Sequence, residues 1–397
     1  MIAILLAGGE GTRLRPLTYN LPKQILPVAG IPMIERALKQ FAEYPVDSGI
    51  ANSHEERWEQ AISNSSIVSA AQNAGVVFQE CVLSLGYRPE RFVQYYPDGL
   101  IDGIKVSYAV EPEPLGTGGA VRFAAEHVGV EGTFVAVNGD VLADISVRDL
   151  IEIHVRNRKH GALATIGLIE VDDPSRYGVV DLDSSGRVKQ FVEKPDPGKS
   201  PSDLINGGVY VLEPEVLDLI PGNKMVSIER EVFPSLVDGG SLYATRMEGY
   251  WLDMGTPQSY VQANMDYLEM SMSPSVPPIA GARQVADGVW VVGDPILKGS
   301  VLPPALVMDG ALIEYGAIVS NAVIGDHCII GSDCRVDRSV VMNGSRMMHG
   351  SVLEDSVLAA MVEVGEGARV ANYSVVGDGY VVASGLTLSD VRVPIND

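Results

Sequence analysis

Two stretches near the start of the chain concentrate residue types that handle phosphate. The apolar run Ile2 to Leu6 leads directly into Ala7-Gly8-Gly9-Glu10-Gly11-Thr12-Arg13-Leu14-Arg15-Pro16, and Pro22-Lys23-Gln24-Ile25-Leu26-Pro27-Val28 follows shortly after. Glycines directly after a strand let backbone amides close on an anion. Arg13 brings a fork of donors and Lys23 a compact point charge. The dinucleotide fingerprint fails, because Leu14 stands where its last glycine belongs, and the Walker A pattern fails for want of Gly-Lys-Ser/Thr. Further along, Asn138-Gly139-Asp140 closes the apolar run that begins at Phe134. That spacing predicts a carboxylate at the carboxyl end of a strand, where open α/β sheets place ligands.

Other chemistries lack support. The six histidines (54, 127, 154, 160, 327 and 349) form no ligand-spaced group, and no Ser-His-Asp order is suggested. His327 and His349 are expected to serve the surface or packing. The three cysteines (81, 328 and 334) are too scattered for a disulfide framework, which fits a reducing cytoplasm. The charges, 29 basic against 51 acidic, leave −22 with no basic stripe, which argues against nucleic acid. No apolar run reaches the roughly 18 residues of a membrane span, and Met1 to Ala7 lacks the basic flank of a signal peptide. Locally the sign reverses. Residues 1 to 40 hold five basic against two acidic side chains.

The elements that must carry these residues alternate. Apolar runs at Ile2 to Leu6, Cys81 to Leu85, Val106 to Val110, Phe134 to Val137 and Ala162 to Ile169 intersperse with helical patterns at Pro32 to Phe41 and Val147 to Arg158. That predicts a doubly wound, mostly parallel α/β domain. A Ser- and Pro-rich run from Ser271 to Pro278 reads as a linker. Beyond it the period becomes six: Ile324, Ile330 and Val336, then Val364, Val370, Val376 and Val382. Such a period means a solenoid, similar to the hexapeptide repeat of left-handed β-helices. The repeat falters between Ser339 and Leu358, where a loop or degenerate coil is expected. Cys328 and Cys334, four after an inward aliphatic, are assigned to packing. The division is therefore 1–270, a linker over 271–280, and a β-helix over 281–397.

The phosphate loop with its Pro-Lys partner resembles the signature of the sugar-nucleotidyltransferases, Gly-Gly-x-Gly-Thr-Arg-Leu followed by Pro-Lys. Glu113-Pro114-Leu115-Gly116-Thr117-Gly118-Gly119-Ala120 is similar to that family's base-contacting loop, in a wording common among its guanylyltransferases. Tyr177-Gly178-Val179-Val180, Glu193-Lys194-Pro195 and Asn206-Gly207-Gly208 resemble its sugar-binding segments. Ser227-Ile228-Glu229-Arg230-Glu231-Val232-Phe233-Pro234 and Trp251-Leu252-Asp253-Met254-Gly255-Thr256-Pro257 complete the order.

The resemblance implies a Rossmann-like domain that joins a sugar 1-phosphate to a nucleoside triphosphate with release of pyrophosphate, GTP and mannose 1-phosphate being the first expectation. Thymidylyl and uridylyl transfer to glucose 1-phosphate are alternatives. It further implies Arg13 and Lys23 as catalytic cations, and Leu6, Ala7, Gly8, Gly9, Gly11, Thr12, Gly116 and Thr117 around the nucleotide. Gly139, Gly178, Glu193, Lys194 and Asn206 would take the sugar phosphate, and Asp140 and Asp253 would hold Mg2+. The chemistry is consistent with that set. Two anions must meet, so catalysis is mainly positioning and charge stabilisation, and two carboxylates suit Mg2+ beside phosphate oxygens.

Two readings of another class are weighed against it: a regulatory paralogue that binds without turnover, and a tail that transfers acyl groups. About thirty residues, 48–79, form an insertion with a possible helix from His54 to Asn73. This insertion or the β-helix is expected to join copies into a homo-oligomer.

Overall fold

Ala3, Ile4 and Leu5 are fully buried, so Ile2–Leu6 can only be an interior strand covered on both faces. In the computed structural model, which describes residues 1–41, 80–101, 104–196, 198–270 and 277–394, this strand pairs in parallel on both sides. Its partners are Glu80–Leu85 and Phe134–Asn138. Glu80–Leu85 continues in parallel to Ile104–Val110. Past Phe134–Asn138 the sheet turns antiparallel, through Leu204–Leu212 and Gly178–Leu182 to Val188–Glu193. Ala164–Glu170 pairs with Leu204–Leu212 and, in parallel, with Leu242–Arg246. The sheet is thus mixed, and its strands fall within a residue or two of the apolar runs. The expected insertion helix, His54 to Asn73, lies outside the described residues, as does most of the insertion and the linker run 271–276.

Two helices show how the sheet is covered. Gly116–Val128 turns Gly118, Gly119, Ala120, Val121, Ala124 and Ala125 inward, small residues that let it lie close, and ends at Gly129 with φ 67°. Val147–Arg158 starts where the Ser146 hydroxyl accepts from the Asp149 amide at 3.1 Å. It buries Leu150, Ile151 and His154 on one face.

By contact density the described residues form two units: Met1–Gly9 with Glu35–Trp251, and Glu10–Ile34 with Leu252–Asp397. The second is built on a parallel β-helix. One wall runs Ile296–Leu297, Leu312–Ile313, Ile329–Ile330, Arg346–Met347, Glu363–Val364, Val381–Val382. The other two are continuous round a corner, as where Ser300–Val307 pairs with Ile318–Ile324 across a register shift after Leu302. Ile318, Arg335, Val352 and Arg369 stack in register, so these central coils take seventeen residues, one short of three hexads, before the step from Arg369 to Thr387 restores eighteen.

That missing residue explains why the six-period falters. The loop expected between Ser339 and Leu358 does not exist; Val352–Glu354 and Val357–Leu358 continue the ladder. Serines take inward positions there and remain satisfied. Ser345 and Ser356 are fully buried and donate to the carbonyls of Ala359 and Glu354, each at 2.7 Å. Cys328 and Cys334 occupy the same small-residue columns, one coil before Ser345 and Ser351. Their thiols are free and buried, and burial pushes Cys328 up to about 11.

Helix Pro257–Met270 belongs to this unit. Thr256 caps it, its hydroxyl accepting from the Ser259 amide at 3.2 Å, and Pro257 suits the first turn. It packs on strands Ser300–Val307, Ile318–Ile324 and Arg335–Val341. Consequently Leu306, Val323 and Val340 are as buried as their inward neighbours Val307, Ile324 and Val341.

Candidate functional site

In the first unit, the carboxyl ends of Ile2–Leu6 and its neighbours converge, because chain connections leave the central strand in opposite directions there. The Ala7 amide donates to Ser84 O at 2.8 Å and the Gly139 amide to Leu6 O at 2.9 Å. A Cβ on Gly139 would stand 2.6 Å from Leu6 O, so Asn138-Gly139-Asp140 needs glycine at its centre to lie this close. Leu6, Ala7, Gly8 and Gly139 are thereby brought together, and Asp140 follows at the same strand end.

A residue that the motif comparison passes over sits beneath this loop. Glu111 is 9% exposed. It accepts from the Ser84 hydroxyl at 3.0 Å and the Leu115 amide at 3.1 Å, and its Oε1 would be 3.0 Å from a Cβ on Gly8. A buried carboxylate held only by neutral donors fixes the glycine loop and the segment Leu115-Gly116-Thr117 to one another. The sequence signal was available: an acid closing the strand Ile104–Val110 just before Pro112.

Gly116 and Thr117 open their helix against another segment. Thr117 Oγ1 donates to Glu229 Oε2 at 2.7 Å and accepts from the Ile228 amide at 3.0 Å. Ser227 Oγ donates to the same Glu229 oxygen at 2.7 Å. Glu229 lies in a π-turn, Ile228–Val232, a form found mostly at functional sites. So the threonine hydroxyl is committed to a carboxylate, and Glu229 becomes a member of the cluster.

The sugar-phosphate candidates gather on the antiparallel part of the sheet. Gly178 pairs directly with Glu193. Two extra residues between Asn206 and Tyr210 bulge out of the ladder with Ala164–Glu170. The bulge carries Asn206 Nδ2 to the buried Tyr210 hydroxyl at 2.9 Å and exposes Gly207 O to Trp251 Nε1, also at 2.9 Å. Trp251 meets Tyr177 edge to face at 5.4 Å. Lys194 holds φ 52°, an uncommon value for a side-chain-bearing residue, secured by its amide bond to Tyr177 O at 2.9 Å. Its ammonium is 3.9 Å from Glu193 and largely exposed. Burial, then the nearby Glu229 charge, raise the Glu193 carboxyl above the usual range, against the pull of Lys194 and Arg230.

The second unit carries the remaining candidates. Thr18 Oγ1 donates to Gly11 O at 2.8 Å, closing the loop that contains Thr12 and Arg13. Lys23 is 6% exposed and packs its stem beside Gly11. Arg13 and Asp253 approach Gly255: a Cβ there would stand 2.7 Å from Arg13 Nη2 and 3.1 Å from Asp253 Oδ1. Gly255 has no functional side chain, and its role is legible only from packing.

Asp140 and Asp253 offer carboxylate oxygen alone, a donor set that suits a hard divalent cation shared with phosphate oxygens. Among the described residues no group of three or more His, Cys, Asp or Glu could hold a metal unaided. His349 stays on the surface of its coil beside Ser332 and Asp333. No helix among the described residues is long and apolar enough to cross a membrane.

Comparison with known proteins divides the chain elsewhere than its contact density does. The Nucleotidyl transferase family matches residues 2–270, and the GMPPB C-terminal domain matches 301–396. The mannose-1-phosphate guanylyltransferase of Mycobacterium tuberculosis is 34% identical over 319 residues, covering 78% of both chains. The mannose-1-phosphate guanyltransferase of Kluyveromyces lactis is 34% identical over 304 residues, 75% of this chain and 73% of its own. A probable mannose-1-phosphate guanylyltransferase 3 of Oryza sativa subsp. japonica is 35% identical over 307 residues, 76% and 72%.

Proposed function

Because the chain belongs to the nucleotidyl transferase family, we propose that it joins GTP to mannose 1-phosphate, giving GDP-mannose and pyrophosphate. The observation that carries this reading is a match to that family spanning residues 2–270, the stretch that holds Arg13, Lys23, Asp140, Lys194 and Asp253. The relatives' names supply the base and the sugar.

A sugar phosphate oxygen attacks the α-phosphorus, a new P–O bond forms, and the bond to the β-phosphate breaks. Arg13 spans phosphate oxygens with its fork, and Lys23, held in place by burial, adds a charge on the nucleotide. Leu6, Ala7, Gly8, Gly9, Gly11 and Thr12 line the nucleotide phosphates with backbone donors, and Gly116 and Thr117 border the base. Lys194 draws in the sugar phosphate, while Glu193 and Asn206 accept and donate to sugar hydroxyls beside Gly139 and Gly178. Asp140 and Asp253 would hold a divalent cation, Mg2+ in this reading, which would offset charge on the phosphates. The domain division is read as 1–270, 271–280 and 281–397, and the end of the first family match at residue 270 supports its first boundary. Free, scattered cysteines favour the cytoplasm, and the unpaired coil edge at an open end of a solenoid favours a homo-oligomer.

Pyrophosphate release measured over GTP, dTTP, UTP, CTP and ATP, each with mannose and glucose 1-phosphates, tests the proposal. Turnover is expected with GTP and mannose 1-phosphate first; its absence with GTP overturns the guanylyl reading and leaves the thymidylyl and uridylyl ones.

A further inference from the structure

The segment Glu10–Ile34, which carries Arg13 and Lys23, is packed with the β-helix and helix Pro257–Met270 in one unit. Five contacts tie it down. Pro16, three residues after Arg13, lies on Gly377: a Cβ there would stand 2.9 Å from Pro16 Cβ and 3.0 Å from its Cγ. Asn20 Nδ2 donates to Asp378 Oδ2 at 3.4 Å, while Asp378 Oδ1 accepts from the Ala360 amide of the preceding coil at 3.1 Å. After Lys23, the turn at Pro27–Gly30 is held by the helix. Tyr260 Oη donates to Pro27 O at 2.6 Å, and the Ala29 amide to Asn264 Oδ1 at 2.8 Å, both partners being fully buried. Gly30 lies against Met308 and Leu306 of a coil.

Both cations are therefore bracketed by anchors outside their own loop. A flexible loop would lose orientation entropy each time it closed on a triphosphate, and a loop fixed beforehand does not. Gly377 is suited to this because it directly follows the strand Val375–Val376, and its amide bonds to Val393 O at 2.6 Å, so its position is set by the coil and not by the loop.

We propose that the β-helix takes part in nucleotide handling, with Gly377 and Asp378 as positioning residues that fix the Arg13 and Lys23 loop for the triphosphate. This rests on the nucleotide role of Arg13 given above. Steady-state kinetics on the full chain compare Gly377→Ala, Asp378→Ala, Asp378→Asn and Arg13→Ala. Gly377→Ala and Asp378→Ala are expected to raise KM for GTP on the order of tenfold, with KM for the sugar phosphate unchanged. Asp378→Asn keeps one oxygen for the Ala360 amide and turns its amide nitrogen to Asn20, whose own amide can flip to accept, so it should stay near wild type. Asp378 is exposed, so its variants test the idea even where Gly377→Ala fails to fold. If both KM values rise together, or if KM for GTP stays put while Arg13→Ala raises it, the inference is overturned and the nucleotide reading stands. If Arg13→Ala also leaves KM for GTP unchanged, the nucleotide reading falls and takes the inference with it.

Discussion

Arg13 and Asp253 approach the same glycine, Gly255, from positions 240 residues apart in sequence, leaving no room for a methyl group between them. A guanidinium meant for phosphate and a carboxylate meant for a cation must stay close without displacing one another. Gly255→Ala is expected to push Nη2 of Arg13 aside and disturb Oδ1 of Asp253. Because Arg13 is exposed, the fold should tolerate the change. A fall in kcat of about 10- to 100-fold with little change in melting temperature is the expected result. Asp253→Asn should abolish turnover and Arg13→Ala should leave only a residual rate with a raised KM for GTP, and full activity in either variant removes that residue from the reaction.

Glu193 and Glu229 define a pH dependence. Burial and the Glu229 charge raise the Glu193 carboxyl, so as pH falls it loses its charge earlier than an ordinary glutamate. If the carboxylate accepts sugar hydroxyls, KM for the sugar phosphate rises on the acid side. Glu229→Gln keeps an oxygen for Thr117 and Ser227 but removes a negative charge. That lowers the Glu193 value and should move the acid limb to lower pH. A limb that stays in place after Glu229→Gln would separate the two residues. Glu229→Ala, losing both hydrogen bonds, should in addition raise KM for the nucleotide.

Glu111 should matter to stability as much as to binding. Glu111→Ala strands the buried Leu115 amide, a cost of about 1–3 kcal/mol for a buried group left unsatisfied, and leaves the Ser84 hydroxyl with Ala120 O at 3.4 Å. Denaturant unfolding measures it. The nucleotide KM should rise in the same variant, because the Gly8 loop and Leu115 lose their common support. A variant as stable as wild type would show that water replaces the carboxylate.

Much of this arrangement was open to reading in sequence, for reasons that differ by residue. Ile2–Leu6 and Phe134–Asn138 are apolar without interruption, and only buried strands need that. Asp140 follows a glycine at a strand end and Arg13 lies in the glycine loop that follows another, with Lys23 shortly after in Pro22-Lys23, so type and place coincide. The β-helix was visible in its aliphatic period, yet its seventeen-residue coil was not, because buried serines such as Ser345 look polar until their carbonyl partners are known. Gly255 and Gly377 were illegible for a related reason. Each matters through what packs against it, and a glycine's sequence context names no partner 240 or 360 residues away.

His154 supplies the last expected outcome, on stability and pH. It is 1% exposed, its Nε2 lies 2.9 Å from Glu213 Oε1, and its Nδ1 lies 2.8 Å from Thr165 Oγ1. A carboxylate can only accept, so Nε2 carries the proton and the threonine hydroxyl donates to Nδ1. Burial lowers the imidazole below its ordinary 6.5, outweighing Glu213, which pulls the other way. The folded protein thus binds fewer protons here than the unfolded chain does. Stability from this group is complete above 6.5 and declines as pH drops through that value toward the lowered one. Melting temperatures measured from about pH 8 down to about pH 5 should therefore fall more steeply in wild type than in His154→Gln. The variant should itself be less stable at neutral pH, because a glutamine can still donate to Glu213 but has no acceptor where Nδ1 takes the buried Thr165 hydroxyl. Parallel slopes in the two proteins would show that other groups govern the acid side.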